Sequence, residues 1–193
     1  MRKFLLPLFA ALTLAACGIN TVPTREEAVK ASWAEVESQY QRRADLIPNL
    51  VATVKGFAAQ EKDVLESVTQ ARASATQTTI SADQLTDPAA VARFQAAQDQ
   101  LSGALSRLLV TVERYPELKS NENFLALQSQ LEGTENRITV ARRDYNQAVQ
   151  AYNTEIRTFP SLIAAKFIYG AEPITPFKAT TAGAETAPTV SFE

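Results

Sequence analysis

Histidine is absent from this chain of 193 residues, and cysteine, methionine and tryptophan occur once each. The missing histidine removes the commonest general base, the commonest zinc ligand and the usual nucleophilic triads. A lone cysteine has no disulfide partner within the chain. Glycine is scarce, at six residues, and no Gly-rich phosphate-binding loop occurs. No stretch sustains a two-residue alternation of apolar and polar side chains, so no sheet is expected. The N-terminal apolar run, residues 4–14, is far shorter than the ~20 residues of a membrane-spanning helix. Basic residues form no stripe and the formal net charge is -2, which argues against nucleic acid as a partner and against polybasic membrane binding. No cofactor and no metal are expected.

The N-terminus is the most informative part of what is present. Arg2 and Lys3 precede the apolar run, which ends in Leu14-Ala15-Ala16-Cys17. A basic start, a short apolar segment and a small-residue cleavage site are the parts of an export signal. With cysteine directly after the cleavage site, the pattern looks like a bacterial lipobox. Residues 1–16 are then a lipoprotein signal peptide, Cys17 is the lipidation site and first mature residue, and residues 17–23 are the acylated tether. The alternative is an ordinary signal peptide with a chance cysteine. A free thiol in an exported protein is a reactive liability, and acylation accounts for both its uniqueness and its place. Each buried CH₂ contributes roughly 0.8 kcal/mol, so two or three acyl chains anchor stably where one does not. Gly18 stands where, in known sorting signals, an aspartate favours inner-membrane retention. The expectation is a domain outside the cytoplasm, periplasm-facing, with the outer membrane favoured in a cell that has two. Cleavage takes Arg2 and Lys3 from the 19 basic residues and none of the 21 acidic ones, so the mature charge moves to about -4.

The rest reads as long helices, with abundant Ala, Gln, Leu, Glu and Arg. Thr24 and Glu27 form a capping-box pattern at a helix start. A first apolar seam follows at Val29, Trp33, Val36, Tyr40, Ile47, Leu50, Val54, Phe57, Val64, Val68 and Ala71. Its steps of three and four are those of packed helices. Pro48 interrupts it, predicting a kink in one helix or two helices meeting near residues 46–48. Residues 74–87 read as a connector, and Asp87-Pro88 as a helix start. The second seam is Val91, Phe94, Gln98, Leu101, Leu105, Leu108, Val112 and Tyr115, stopping at Pro116. The third starts near Ser120 and runs through Phe124, Leu127, Leu131, Thr134, Ile138, Ala141, Tyr145, Ala148, Tyr152, Ile156 and Phe159 to Pro160. A short helix over residues 162–169 precedes a Pro-, Thr- and Ala-rich tail, residues 170–193, expected to be disordered. The fold class is all-α: an elongated antiparallel bundle of three to four long helices over residues 24–169. A parallel coiled-coil dimer is the alternative, and the proline-bounded turn at residues 115–119 favours a hairpin within one chain.

Candidate chemistry is sparse. Arg43 and Glu61 fall on the first seam if the heptad count survives Pro48, and a buried charge then needs a partner. If the seam drifts at the proline, both are exposed. Asn146 and Asn153 lie one heptad apart, each after a tyrosine, and with Asn136 put amides beside the third seam. They read as interhelical hydrogen-bonding groups that set register, or as a polar ligand groove. Glu132 and Glu135 have metal-site spacing without the histidine such bundle sites use. Arg42-Arg43 and Arg142-Arg143 read as salt-bridged faces. Gly56 and Gly133 sit inside predicted helices at a cost of ~1 kcal/mol each relative to Ala, for a close approach or a hinge.

Several motifs together resemble the LemA family: Arg43-Ala44-Asp45-Leu46-Ile47-Pro48-Asn49-Leu50-Val51, Val54-Lys55-Gly56, Ala71-Arg72, Tyr115-Pro116-Glu117-Leu118-Lys119, Leu131-Glu132-Gly133-Thr134-Glu135-Asn136-Arg137-Ile138 and Ala141-Arg142-Arg143-Asp144-Tyr145-Asn146. Tyr152-Asn153 and Phe159-Pro160 complete the match. Within them the candidate polar or interaction residues are Arg43, Asp45, Asn49, Arg72, Glu135, Asn136, Arg142, Asn146 and Asn153, with Glu61 between motifs. The resemblance implies an elongated helical bundle tethered to a bacterial membrane; it does not imply an activity. Family members often carry an N-terminal membrane helix, here replaced by the lipid anchor, and commonly His-Glu where this chain has Gln60-Glu61. Some relatives are encoded beside membrane zinc metalloproteases. Three functions are therefore carried forward. The first is a non-enzymatic envelope lipoprotein acting as scaffold or adaptor for an unidentified protein partner, oligomeric or not. The second is a regulatory subunit of a membrane zinc metalloprotease. The third is a polar-ligand binder or enzyme using Arg43, Glu61 and the helix asparagines.

Overall fold

The computed structural model describes residues 19–178. Cys17, the signal-peptide segment and residues 179–193, with Phe192, lie outside the described residues. The described chain is all-α. Its elements are α1 (Thr21–Phe57), α2 (Lys62–Gln77), a 3₁₀ turn (Ala82–Thr86), α3 (Pro88–Val112), α4 (Pro116–Lys119), α5 (Glu122–Glu155) and α6 (Ser161–Ala164), which runs into a π-helical turn (Ala165–Tyr169). At 1.5 Å rise per residue, the 37 residues of α1 span about 55 Å.

The caps explain most boundaries. Asp87 accepts the Ala89 N–H at 2.8 Å with Pro88 at the first helical position, and Asn121 accepts the Phe124 N–H at 3.1 Å, one residue past the expected start of the third seam. Gly170 ends the π turn at φ 58°, a left-handed conformation that favours glycine. The first cap differs from expectation. α1 starts at Thr21, so residues 21–23 are helix and not tether, and Thr24 lies in the first turn with its hydroxyl donating to the Asn20 carbonyl. Glu27 pairs with Lys30 instead of closing a capping box.

Pro48 does not divide the first seam. α1 runs through it, and the chain turns at residues 58–61. A proline at 48 leaves the carbonyl of Ala44, four residues back, without its helical N–H. Arg72 Nε, on the neighbouring α2, donates to that carbonyl at 2.8 Å. The helix therefore continues because another helix supplies the missing donor. The glycines need no close approach, since a Cβ at Gly56 or Gly133 meets nothing within 4 Å.

α1 packs antiparallel to α2 and α5, and α3 lies against α2. All members of the second seam from Val91 to Val112 are buried, and most of the third, although Phe159, which precedes a cis peptide to Pro160, is 80 % exposed. The interior falls into two clusters. The upper one joins Ile47, Leu50 and Val54 with Leu65, Val68, Leu101, Leu108, Phe124 and Leu131. Here α1, α2, α3 and α5 make four walls. The lower one joins Val29, Trp33 and Tyr40 with Phe94, Ile138, Tyr145 and Tyr152. α2 has ended by then, and the fourth wall consists of Ile80 and Leu85 from the connector and Ile174 and Phe177 from the chain's last described stretch. Residues 171–178 are thus an ordered strap, correcting the expectation of disorder from residue 170. The strap closes an aromatic cluster in which Phe177 stacks on Trp33 at 5.8 Å between ring centroids, and Phe94 and Tyr145 meet Trp33 edge-on at 5.3 and 5.5 Å.

Candidate functional site

Two polar constellations organise the interior. The first divides the two core clusters. Arg43 follows Tyr40 of the lower cluster and precedes Ile47 of the upper, Gln98 falls between Phe94 and Leu101, and Glu135 between Leu131 and Ile138. The three positions are level in the bundle, and Arg43, 1 % exposed, crosses between them. Its Nη1 donates to Ser102 Oγ at 2.8 Å and to Glu135 Oε2 at 3.0 Å. Its Nη2 donates to the Gln98 carbonyl and to Gln98 Oε1 at 3.1 and 2.9 Å. Gln98 passes the chain on, its Nε2 donating to the Ala75 carbonyl at 3.2 Å near the end of α2. One buried cation thus ties α1, α3 and α5 directly and α2 through Gln98. Pro48 does not shift the seam, because Pro48 is followed by the same helical phase.

The cleft beside this layer holds about 260 Å³, rimmed by Tyr40, Asp99, Ser102 and Arg142. Partial burial raises the Asp99 carboxyl, opposed by Arg142 and Arg43. Burial likewise raises the Tyr40 phenol, and the Arg43 guanidinium lies 5.0 Å from that ring's centroid. Four of Arg43's five donors are engaged by the protein, so the group acts as a cross-link. Glu135 is used by Arg43, and Glu132 accepts from Gln128, so the acidic pair is not shared.

The second constellation is a ladder of amides along α5. Asn153 Nδ2 donates to the Ile174 carbonyl at 2.8 Å and Asn153 Oδ1 accepts the Ile174 N–H at 2.9 Å. One heptad earlier, Asn146 does the same to Phe177, at 3.1 and 2.9 Å. Seven helical residues rise about 10.5 Å and three extended residues span about 10 Å, so the two periods match. Between the rungs, the Thr175 N–H donates to the Leu85 carbonyl and the Tyr145 hydroxyl donates to the Thr175 carbonyl, both at 2.9 Å. Burial pushes that Tyr145 phenol up. Pro176 brings no N–H. Arg142 Nη2 donates to the Lys178 carbonyl at 2.9 Å and its guanidinium lies over Phe177. Asn146 and Asn153 therefore set strap register rather than bonding helix to helix, and both also line an open surface groove of about 470 Å³ with Gln150, Arg157 and Pro176. Arg142 holds the strap rather than a salt-bridged face.

The remaining candidates are scattered. Glu61 precedes α2 in the turn and is not on a seam. It accepts from the Tyr115 hydroxyl at 2.6 Å and from Arg114 Nη2 at 3.1 Å, clasping the 58–61 turn to the 113–121 turn. The Glu61 carboxylate raises the Tyr115 phenol. Asp45 is exposed and accepts from Gln41, and Asn49 and Asn136 are exposed. Sequence reasoning missed Gln98, Ser102 and the strap. Gln98 was visible as the one polar member of its seam. The strap's Ile174 and Phe177 carry too short a pattern to read.

Among the described residues, no three of His, Cys, Asp and Glu are grouped as metal ligands, and no helix is long and apolar enough to cross a membrane. The chain is 27 % identical over 157 residues to magnetosome protein MamQ 2 of Paramagnetospirillum magneticum, covering 73 % of this chain and 58 % of that protein. It is 27 % identical over 171 residues to magnetosome protein MamQ of Magnetospirillum gryphiswaldense, covering 80 % and 63 %. Protein LemA of Metamycoplasma hominis is 25 % identical over 168 residues, covering 82 % and 71 %. The chain spans about three fifths of the length of the magnetosome relatives it matches. The LemA family profile matches residues 32–192, which take in every helix beyond the first turns of α1 as well as the strap, and the chain belongs to the LemA family.

Proposed function

We propose that this protein is a non-enzymatic helical scaffold, tethered to the bacterial envelope through acylated Cys17 and serving as adaptor for a membrane protein partner. The observation that carries the reading is where the interior polar groups go. Arg43, Gln98, Asn146 and Asn153 all bind the protein's own helices or strap. That supports a rod whose exposed faces do the work. The absence of histidine fits the same reading. The domain stands outside the cytoplasm, on the outer membrane in a two-membrane cell.

The test is cross-linking in whole cells followed by isolation of the lipidated protein, with an exported Cys17→Ser variant as control. A stoichiometric partner captured with the lipidated protein and lost with the variant supports the adaptor. The same proteins captured with both, or none with either, overturns it. A membrane zinc metalloprotease as the captured partner assigns the adaptor a role in proteolysis.

A further inference from the structure

α6 and the π turn bury one side and expose the other. Ser161, Ala164 and Ala165 face the bundle, each at most 5 % exposed. Phe159, Leu162, Ile163, Phe167, Ile168 and Tyr169 face out, from 41 to 80 % exposed. Scattered exposed apolar residues are ordinary, but six large ones within eleven residues form a patch of the kind that marks an interaction surface.

The patch lies at the end of the bundle where the chain enters it. The Thr21 hydroxyl donates to Glu155 Oε1 at 2.8 Å, and the Ser161 hydroxyl donates to the same oxygen. Val22 is buried in one cluster with Ile156 and Ala165. Residues 1–18, with the apolar segment 4–14 and Cys17, therefore join the bundle beside this patch. Charge favours the same occupant. Between Glu155 and Glu172 the charged side chains are Arg157 and Lys166, both basic and both exposed, while Glu26, Asp83 and Glu172 line a cleft on the Tyr169 side. Apolar side chains flanked by long cationic ones suit the boundary between acyl chains and anionic headgroups, where the stems lie along apolar surface and the charges reach phosphate. The opposite end carries Glu61, Lys62, Asp63, Glu113, Arg114, Glu117 and Lys119 at its turns, a mixed-charge surface that suits water.

We propose that this tip rests in the interface of the bilayer to which the chain is anchored, with Phe159, Phe167 and Ile168 among the lipids and Arg157 and Lys166 at their phosphates. The inference rests on the proposed tether. It adds that the bundle stands on the membrane by a second contact, which fixes its long axis away from the surface.

The full chain tests this. Ile168→Cys is purified from membranes, labelled with an environment-sensitive dye and reconstituted in phosphatidylethanolamine–phosphatidylglycerol vesicles containing brominated acyl chains. Val110→Cys, exposed near the far end of α3, is the control. The dye at 168 is expected to shift to the blue and lose most of its emission to bromine, and the dye at 110 to keep it. Equal emission at both positions overturns the proposal. A blue shift at 168 that grows with protein concentration without vesicles assigns the patch to a second copy and also overturns it. The unsubstituted chain separates this from the tether. If Cys17 takes up dye, the acyl anchor fails on its own account, and quenching of a 168-labelled Cys17→Ser chain added to the same vesicles still decides the tip. Phe159→Cys repeats the measurement at an independent position.

Discussion

Arg72 makes the hydrogen bond that Pro48 cannot. Its Nε donates at 2.8 Å to the Ala44 carbonyl, the acceptor that an amide at position 48 would have filled. The pairing predicts energetic coupling between Arg72 and Pro48. Arg72→Ala is expected to cost about 1–2 kcal/mol, the loss of a bond from a charged donor to an otherwise orphaned carbonyl. In a Pro48→Ala background the carbonyl regains its helical partner, and the same substitution should cost clearly less. Denaturant midpoints of the four variants complete the cycle, and equal costs in both backgrounds would refute the account.

Removing Arg43 takes away the bridge between the two core clusters. Arg43→Ala should destabilise by about 3–5 kcal/mol, the range for losing one member of a buried ionic network. Glu135→Ala should cost less, because the Glu135 side chain is 53 % exposed and the pair is partly screened. Arg43→Met, which keeps the stem's volume, is expected between the two. Urea unfolding followed by circular dichroism orders the three.

The amide ladder predicts that strap and aromatic cluster fail together. Asn153→Ala and Asn146→Ala each remove a donor and an acceptor from the strap, for about 1–3 kcal/mol apiece. Trp33, the chain's single tryptophan, stacks on Phe177 and reports the event. Its emission should move toward that of exposed indole in Asn146→Ala, Asn153→Ala and Phe177→Ala, with the far-ultraviolet helix signal retained. An unchanged tryptophan spectrum in all three would contradict the strap.

Glu155 gives a pH dependence with a definite sign. The Ser161 and Thr21 hydroxyls hold its carboxyl below the ordinary carboxylate range. A group whose folded pKa is depressed adds stability above its unfolded value, and that stability is lost as pH falls through the folded value. Stability should therefore decline from the ordinary carboxylate range downward. Glu155→Gln should flatten that part of the curve, as thermal unfolding at successive pH values will show.

Gly133 is exposed in the middle of α5 with nothing near its missing Cβ. Gly133→Ala should stabilise by roughly 1 kcal/mol through helix propensity. A loss of stability in chemical denaturation would contradict this account of the site.

The long seams were legible because a helix buried on one face repeats its pattern many times. Val91 to Val112 and Phe124 to Ile156 give seven or more seam positions each, and tertiary packing had no reason to override them. The break in the first seam was misplaced for a local reason. Pro48 is the strongest breaker in sequence, yet the unmet Ala44 carbonyl is answered by a residue 28 positions later in the chain, and spacing carries no trace of that. The turn at residues 58–61 holds no proline, so it gave no signal. Arg43 was legible as a seam position and as a charge in need of a partner, while its partners sit 55 to 92 residues away. The heptad spacing of Asn146 and Asn153 is visible in the sequence, but their acceptors and donors are backbone groups of a strap whose composition resembles a tail.

The strap occupies the place that α2 vacates, and it is the last described stretch of the chain to be made. A chain growing from its N-terminus therefore holds all four main helices while one side of Trp33 still faces water. The upper half can assemble from local hairpins alone. The lower half has to wait for residue 177, so the order in which this rod becomes whole runs from the end that holds the 58–61 turn toward the end where α1 begins.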